Sequence, residues 1–85
     1  MYLNTQMEAS ELLNNLNRLH TTELSIGRIR ANTGFSIIDP RNWCKNLIKK
    51  ADSVVKMDNK WYVISDGIKI TINADTYVIL TAHIL

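Results

Sequence analysis

His20 and His83 are the two histidines of the chain, and each stands beside hydroxyls. His20 opens a His-Thr-Thr-Glu run that ends at Glu23, and His83 closes Thr81-Ala82-His83. Metal-free RNA cleavage needs a group that takes a proton, a group that gives one, and cations that hold the phosphate. His83 and His20 are candidates to move the proton. Thr81 is a candidate to position the phosphate, and Lys69, Arg28, Arg30 or Lys45 could supply the positive charge. The competing structural reading places His20 in an interhelical turn, where it helps cap a helix. It leaves His83 close to the end of the chain, where a residue contributes little packing.

Other residues suit binding more than chemistry. Thr71, Thr81 and Asn73 can donate hydrogen bonds to phosphate, although threonine is also simply a favourable strand residue. Tyr62 and Tyr77 can stack bases if an open sheet face carries them; under a helix or a partner subunit they are ordinary packing. Arg41, Lys45 and Lys49 lie four apart and form a basic stripe on one helix flank. Such a stripe is either an electrostatic footprint for an anionic partner or a solvated face.

Cys44 is the single cysteine, so no internal disulfide can form. Its apolar neighbours make it a small buried hydrophobe. A nucleophilic cysteine needs an accessible, electropositive setting instead. One cysteine and two distant histidines do not give metal-ligand spacing, and Gly27, Gly34 and Gly67 form no phosphate loop. No metal and no cofactor is expected.

These residues must be placed by helices up to about Ala51 and by strands from Val54. The first helix is expected over 6–19, with Thr5 and Glu8 as a capping box and Leu12, Leu13, Leu16 and Leu19 as its apolar stripe. The second is expected over 23–32, capped by Thr21 or Thr22 and stopped at Gly34. Its apolar side is Leu24, Ile26 and Ile29. The third, over 40–50, has Asp39 as N-cap and Pro40 at its first position. Trp43, Cys44, Leu47 and Ile48 form its apolar face.

Strands are expected over 54–56, 60–65, 68–73 and 77–83. Asp66-Gly67 is a primed hairpin turn, which pairs Ser65 with Ile68, Val63 with Ile70 and Trp61 with Ile72. Trp61, Val63, Ile70 and Ile72 then face the core, while Tyr62, Ile64, Lys69 and Thr71 face away. For the last hairpin, a three-residue loop from Ala74 to Thr76 sends Val78, Leu80 and Ala82 inward. It sends Tyr77, Ile79, Thr81 and His83 to the mixed face with Lys69. A loop one residue longer or shorter reverses this. The expected architecture is α+β: three N-terminal helices packed on one face of a four-stranded antiparallel meander, in one domain over 1–85.

The 85 residues are 46% apolar and 21% charged, which fits a globular chain and excludes a disordered one. A chain this short buries roughly 60–65% of its unfolded surface, so oligomerisation would help it. The net charge of +2 permits an anionic partner without demanding one. "MYLNTQMEAS" has neither the basic nor the apolar region of a signal peptide, and no apolar run approaches the ~20 residues of a membrane helix. A cytoplasmic protein without membrane contact is the expectation.

At "LHTTEL", "NWCK", "KWYV", "ITINADTY" and "LTAH" the chain resembles a family of small bacterial proteins that carry only a domain-of-unknown-function label. The likeness runs from His20 to His83 and implies a bacterial or phage, intracellular origin. It departs at Ser25, where the family places a glycine. A fainter likeness, at the level of fold, is to the RNases grouped around barnase, EndoU, colicin and RelE-type toxins. These set helices before a four-stranded sheet and carry catalytic His, Thr, Lys or Arg on it. Two readings therefore stand. One is an RNA-binding or RNase-like module using the polar sheet face. The alternative is a non-enzymatic interaction module, or a homodimer that hides that face.

Overall fold

The computed structural model describes residues 9–85. The described part of the first helix, α1, covers residues 9–13, and a 3-10 turn follows at Leu16–Arg18. Two further helices, α2 (Glu23–Thr33) and α3 (Pro40–Lys49), precede four strands: β1 (Ser53–Met57), β2 (Lys60–Ser65), β3 (Ile68–Asn73) and β4 (Ile79–Ile84). The strands form one antiparallel sheet in the order β1-β2-β3-β4. The α+β architecture is as the periodicity dictated. The core contains Leu12, Leu16 and Leu19 from the N-terminal segment, Ile29 from α2, and Cys44, Leu47 and Ile48 from α3, together with the inner face of the sheet.

The first helix stops earlier than its leucine stripe suggested. The Asn15 side chain donates to the Glu11 carbonyl at 2.7 Å, and the Asn15 backbone N–H turns to Leu12 instead, at 3.0 Å. Asparagine competes with the helix ladder in this way, so the chain tightens into a 3-10 turn. Leu16 and Leu19 still reach the core, but Leu13 is exposed. The proposed Thr5–Glu8 capping box lies outside the described residues.

The cap of α2 is built from Thr22 and Ser25. Thr22 accepts from the Ser25 backbone N–H, and the Ser25 hydroxyl accepts from the Thr22 backbone N–H, a reciprocal capping box. Ser25 is buried, whereas Leu24 is exposed. The inner side of α2 is thus Ser25, Ile29 and Thr33: Ile29 is buried as expected, Ile26 is half-buried, and Leu24 faces out. Gly34 ends the helix with φ 72°, its N–H bonded to the Arg30 carbonyl. Asp39 caps α3 by accepting from the Asn42 N–H, with Pro40 at the first position. The buried Ser65 hydroxyl donates to the Leu47 carbonyl at 2.7 Å and pins β2 to the end of α3.

The β2–β3 hairpin has the expected register, with Trp61 opposite Ile72, Val63 opposite Ile70 and Ser65 opposite Ile68. The β3–β4 hairpin differs. Residues 74–76 form the turn, but Tyr77 follows with φ 62° and β4 begins only at Ile79. Ile79 pairs with Ile72 and Thr81 with Thr71, leaving Leu80 as an unpaired bulge. Ile79 is therefore buried on the core side, and Val78 and Leu80 are only half-buried. Beyond the bulge Ala82 faces inward, and Thr81 and His83 face outward beside Thr71 and Lys69.

Asp66 and Gly67 both have positive φ, at 54° and 73°, as a primed turn requires. Open space surrounds the Gly67 Cα, so a larger side chain there meets strain and no clash. Gly67→Val should cost about 1–2 kcal/mol, the penalty of left-handed backbone for a branched residue. The shift is read from the urea midpoint, and an unchanged midpoint would show that the turn tolerates the residue.

Candidate functional site

Alternation along the strands fixes the composition of the outer sheet face. From β1 it takes Ser53, Val55 and Met57; from β2, Lys60, Tyr62 and Ile64; from β3, Lys69, Thr71 and Asn73; from β4, Thr81 and His83. These strand positions hold two lysines and a histidine and no carboxylate. Val55 and Met57 are exposed, and Tyr62, Lys69, Thr81 and His83 are half-buried.

Lys69 and His83 are cross-strand partners, and so are Thr71 and Thr81. The Lys69 ammonium stands 5.0 Å from the centroid of the Tyr62 ring, over its diagonal neighbour. Thr81 is held by Asn32 of α2, whose side-chain amide donates to the hydroxyl at 2.8 Å. That leaves the Thr81 hydroxyl hydrogen free to donate outward. Thr71 is flanked by Tyr62 and Thr81 and is buried, so its role is packing between them.

Lys60 on this face and Asn32 beside it were not singled out from the sequence. Lys60 could have been found, because it precedes Tyr62 by two and so shares its side of the strand. Asn32 could not, because nothing local links a helix residue to Thr81.

Tyr77 is absent from the face. It is 2% exposed, and its ring meets Trp61 edge-on at 4.9 Å. The Arg18 guanidinium lies 4.1 Å from the ring centroid on the outside. Burial pushes the Tyr77 phenol above its ordinary range, with Arg18 pulling the other way. The positive φ at Tyr77, followed by the Leu80 bulge, turns this ring inward.

His20 is also remote from the face. Its backbone brackets the start of β4: the His20 N–H donates to the Tyr77 carbonyl at 3.1 Å and its carbonyl accepts from Ile79 at 2.8 Å. Its ring Nδ1 lies 3.1 Å from the Arg18 carbonyl. His20 bridges Val78, whereas His83 pairs with Lys69. Val78 lies opposite Asn73 and His83 opposite Lys69, four residues apart on β3, about 13 Å at ~3.3 Å per residue. The two imidazoles therefore do not meet on one phosphate. Thr22 and Ser25, and not His20, supply the helix cap.

The basic stripe of α3 is partly committed. Arg41 donates through Nε to the Leu19 carbonyl and through Nη2 to the Asn17 carbonyl, tying α3 to the 3-10 turn and the residue after it. Lys45 and Lys49 remain, half-buried and exposed respectively. Among the described residues no cluster of His, Cys, Asp or Glu could hold a metal ion. No described helix is long and apolar enough to cross a membrane.

A family model described as "Protein of unknown function (DUF3781)" matches residues 13–83, which include every outer-face residue named above. No curated protein and no solved structure matches the chain.

Cys44 is fully buried beside Leu47 and Ile48, and desolvation pushes its thiol up to about 12 from an ordinary value of 9.0. The thiol form is thus favoured in the fold. Its contribution to stability is complete below pH 9 and is lost as pH rises toward 12, because only the unfolded chain gives up the proton in that window. Native protein at pH 8 should react with a bulky thiol reagent only as fast as it unfolds. Labelling at the rate of a free thiol would show that Cys44 is accessible.

Proposed function

Since the chain belongs to the DUF3781 family, whose description assigns no activity, we propose a function from its own surface: the outer sheet face binds single-stranded RNA. The observation that carries this reading is a sheet face with Lys60, Lys69 and His83, an outward Tyr62 and no carboxylate at any strand position. Binders of single strands combine cations for the backbone with aromatic rings for the bases. Val55 and Met57 add exposed apolar surface along the same face.

Lys69 over Tyr62 is compatible with this use. An exposed cation–π contact is worth about 0.5–1 kcal/mol. A base stacked on an aromatic ring is worth about 1–3 kcal/mol. A base can therefore displace the ammonium from the ring, and the displaced Lys69 is then free to meet the adjacent phosphate. Thr81, held by Asn32, donates its hydroxyl to the same phosphate.

The geometry favours binding over cleavage. His83 is the only histidine on the face, and His20 stands about 13 Å away along the strand direction. Acid–base catalysis by this pair would need both within reach of one phosphate. The Lys45–Lys49 flank of α3 offers a secondary, less specific contact.

The test titrates labelled single-stranded RNA into the pure protein at several salt concentrations, by fluorescence anisotropy. Tyr62→Ala should weaken binding by about 1–3 kcal/mol, and Tyr62→Phe should change it little. Lys69→Ala should reduce the salt slope by ~0.7, one phosphate contact on a single strand. The RNA should remain intact throughout. No binding at low salt, or binding indifferent to both Tyr62→Ala and Lys69→Ala, would refute the proposal.

A further inference from the structure

The connection between α2 and α3 carries apolar side chains outward on a fixed backbone. Ile38 is 95% exposed and Phe35 is 45% exposed. The Phe35 ring meets the half-buried Trp43 edge-on, with centroids 6.2 Å apart. The loop is held at both ends and in its middle. Gly34 closes α2 on the Arg30 carbonyl, and the Phe35 N–H donates to the Thr33 hydroxyl. Arg30 donates through Nε and Nη2 to the Ile37 carbonyl, at 3.1 and 2.8 Å. Ile37 is buried, and Asp39 caps the next helix. These bonds hold the loop with Ile38 turned outward. Contiguous exposed apolar surface of this kind marks a contact site.

Two clefts flank the Ile38 ridge. One, of about 530 Å³, is lined by Arg30, Phe35 and Ile38 among others. The second, of about 470 Å³, shares Phe35 and Ile38 and adds Asp39 and Trp43. Knob and hollow thus lie on one surface, with a cation on one side and a carboxylate on the other. The fork on Ile37 uses only part of the guanidinium, which carries five N–H donors. Asp39 commits Oδ1 to Asn42 and keeps its other oxygen. Neither Arg30 nor Asp39 has an ion-pair partner among the described residues.

We infer that a second copy of this chain docks on the Phe35–Ile38–Trp43 ridge through a two-fold contact. The Ile38 of each copy enters the cleft beside Trp43 of the other, and Arg30 of each faces Asp39 of the other. A two-fold interface presents the same patch twice, so it must be self-complementary. This patch carries one exposed charge of each sign beside its apolar ridge, so its charge is self-complementary. An acidic partner would satisfy Arg30 and repel Asp39, and a basic partner would do the reverse; a second copy satisfies both. The contact uses no residue of the outer sheet face, so it is independent of RNA binding there. It also differs from a dimer that hides the sheet.

Sedimentation velocity over a concentration series up to about 1 mM detects even a weak dimer. The weight-average mass should rise from one chain toward two. Ile38→Glu should stay at one chain at every concentration, with its circular dichroism unchanged, because Ile38 makes no buried contact. Lys69→Ala should associate like the parent. In a sample mixing isotope-labelled and unlabelled chains, filtered NOE spectra should connect Ile38 methyls with the Trp43 ring of the other copy. A monomer throughout the series would overturn the inference. So would a dimer untouched by Ile38→Glu, or one lost in Lys69→Ala.

Discussion

Leu80 lies in β4 without a partner on β3, between an Ile79 that pairs with Ile72 and a Thr81 that pairs with Thr71. Side chains alternate along a strand, so an unbroken β4 would have forced a choice. With Ile79 inward, Thr81 and His83 would also have pointed inward. A buried polar group without a partner costs about 1–3 kcal/mol. With Ala82 inward, Tyr77 and Ile79 would have faced out and left Trp61 uncovered. One extra residue resolves the conflict. Ile79 and Ala82 are both buried, and Thr81 and His83 both reach the outer face.

The same irregularity closes the core at its N-terminal end. Tyr77, turned in by its positive φ, caps the Trp61 ring, and Arg18 caps Tyr77 in turn. The backbone of His20 then brackets the start of β4 by bonding to Tyr77 and Ile79. The His-Thr-Thr-Glu run therefore acts through its backbone and through the Thr22–Ser25 cap. Thr81 is tied to Asn32 of α2 and not to that run. The architectural bonds of His20 are thus made by its backbone.

Two of the described surfaces stand out beyond the core, and their chemistry differs. The outer sheet face is cationic and aromatic, with charge of one sign at its strand positions, which suits an anionic polymer. The α2–α3 ridge is apolar, with one charge of each sign beside it, which suits its own copy. A pairing through the ridge would leave both outer sheet faces open.

Much of this was legible in the residues themselves. Asp39-Pro40 started α3, Gly34 ended α2, and Asp66-Gly67 set the register of β2 and β3, because each depends on backbone conformations that a few residue types prefer. From that register the outward position of Tyr62 and Lys69 followed by alternation alone, and Lys60 was within reach of the same rule. The break after Leu13 was written in Asn14-Asn15 but outweighed by the leucine stripe. What the sequence could not decide was the path from Asn73 to His83. Whether Tyr77 turns inward depends on Trp61 being there to receive it. Whether Leu80 bulges depends on which β4 side chains the core can take. Asn32 on Thr81, Arg41 on Leu19 and the distance between the two histidines belong to the same class. Each joins segments far apart in the chain, and local preference carries no information about a partner that only packing brings near.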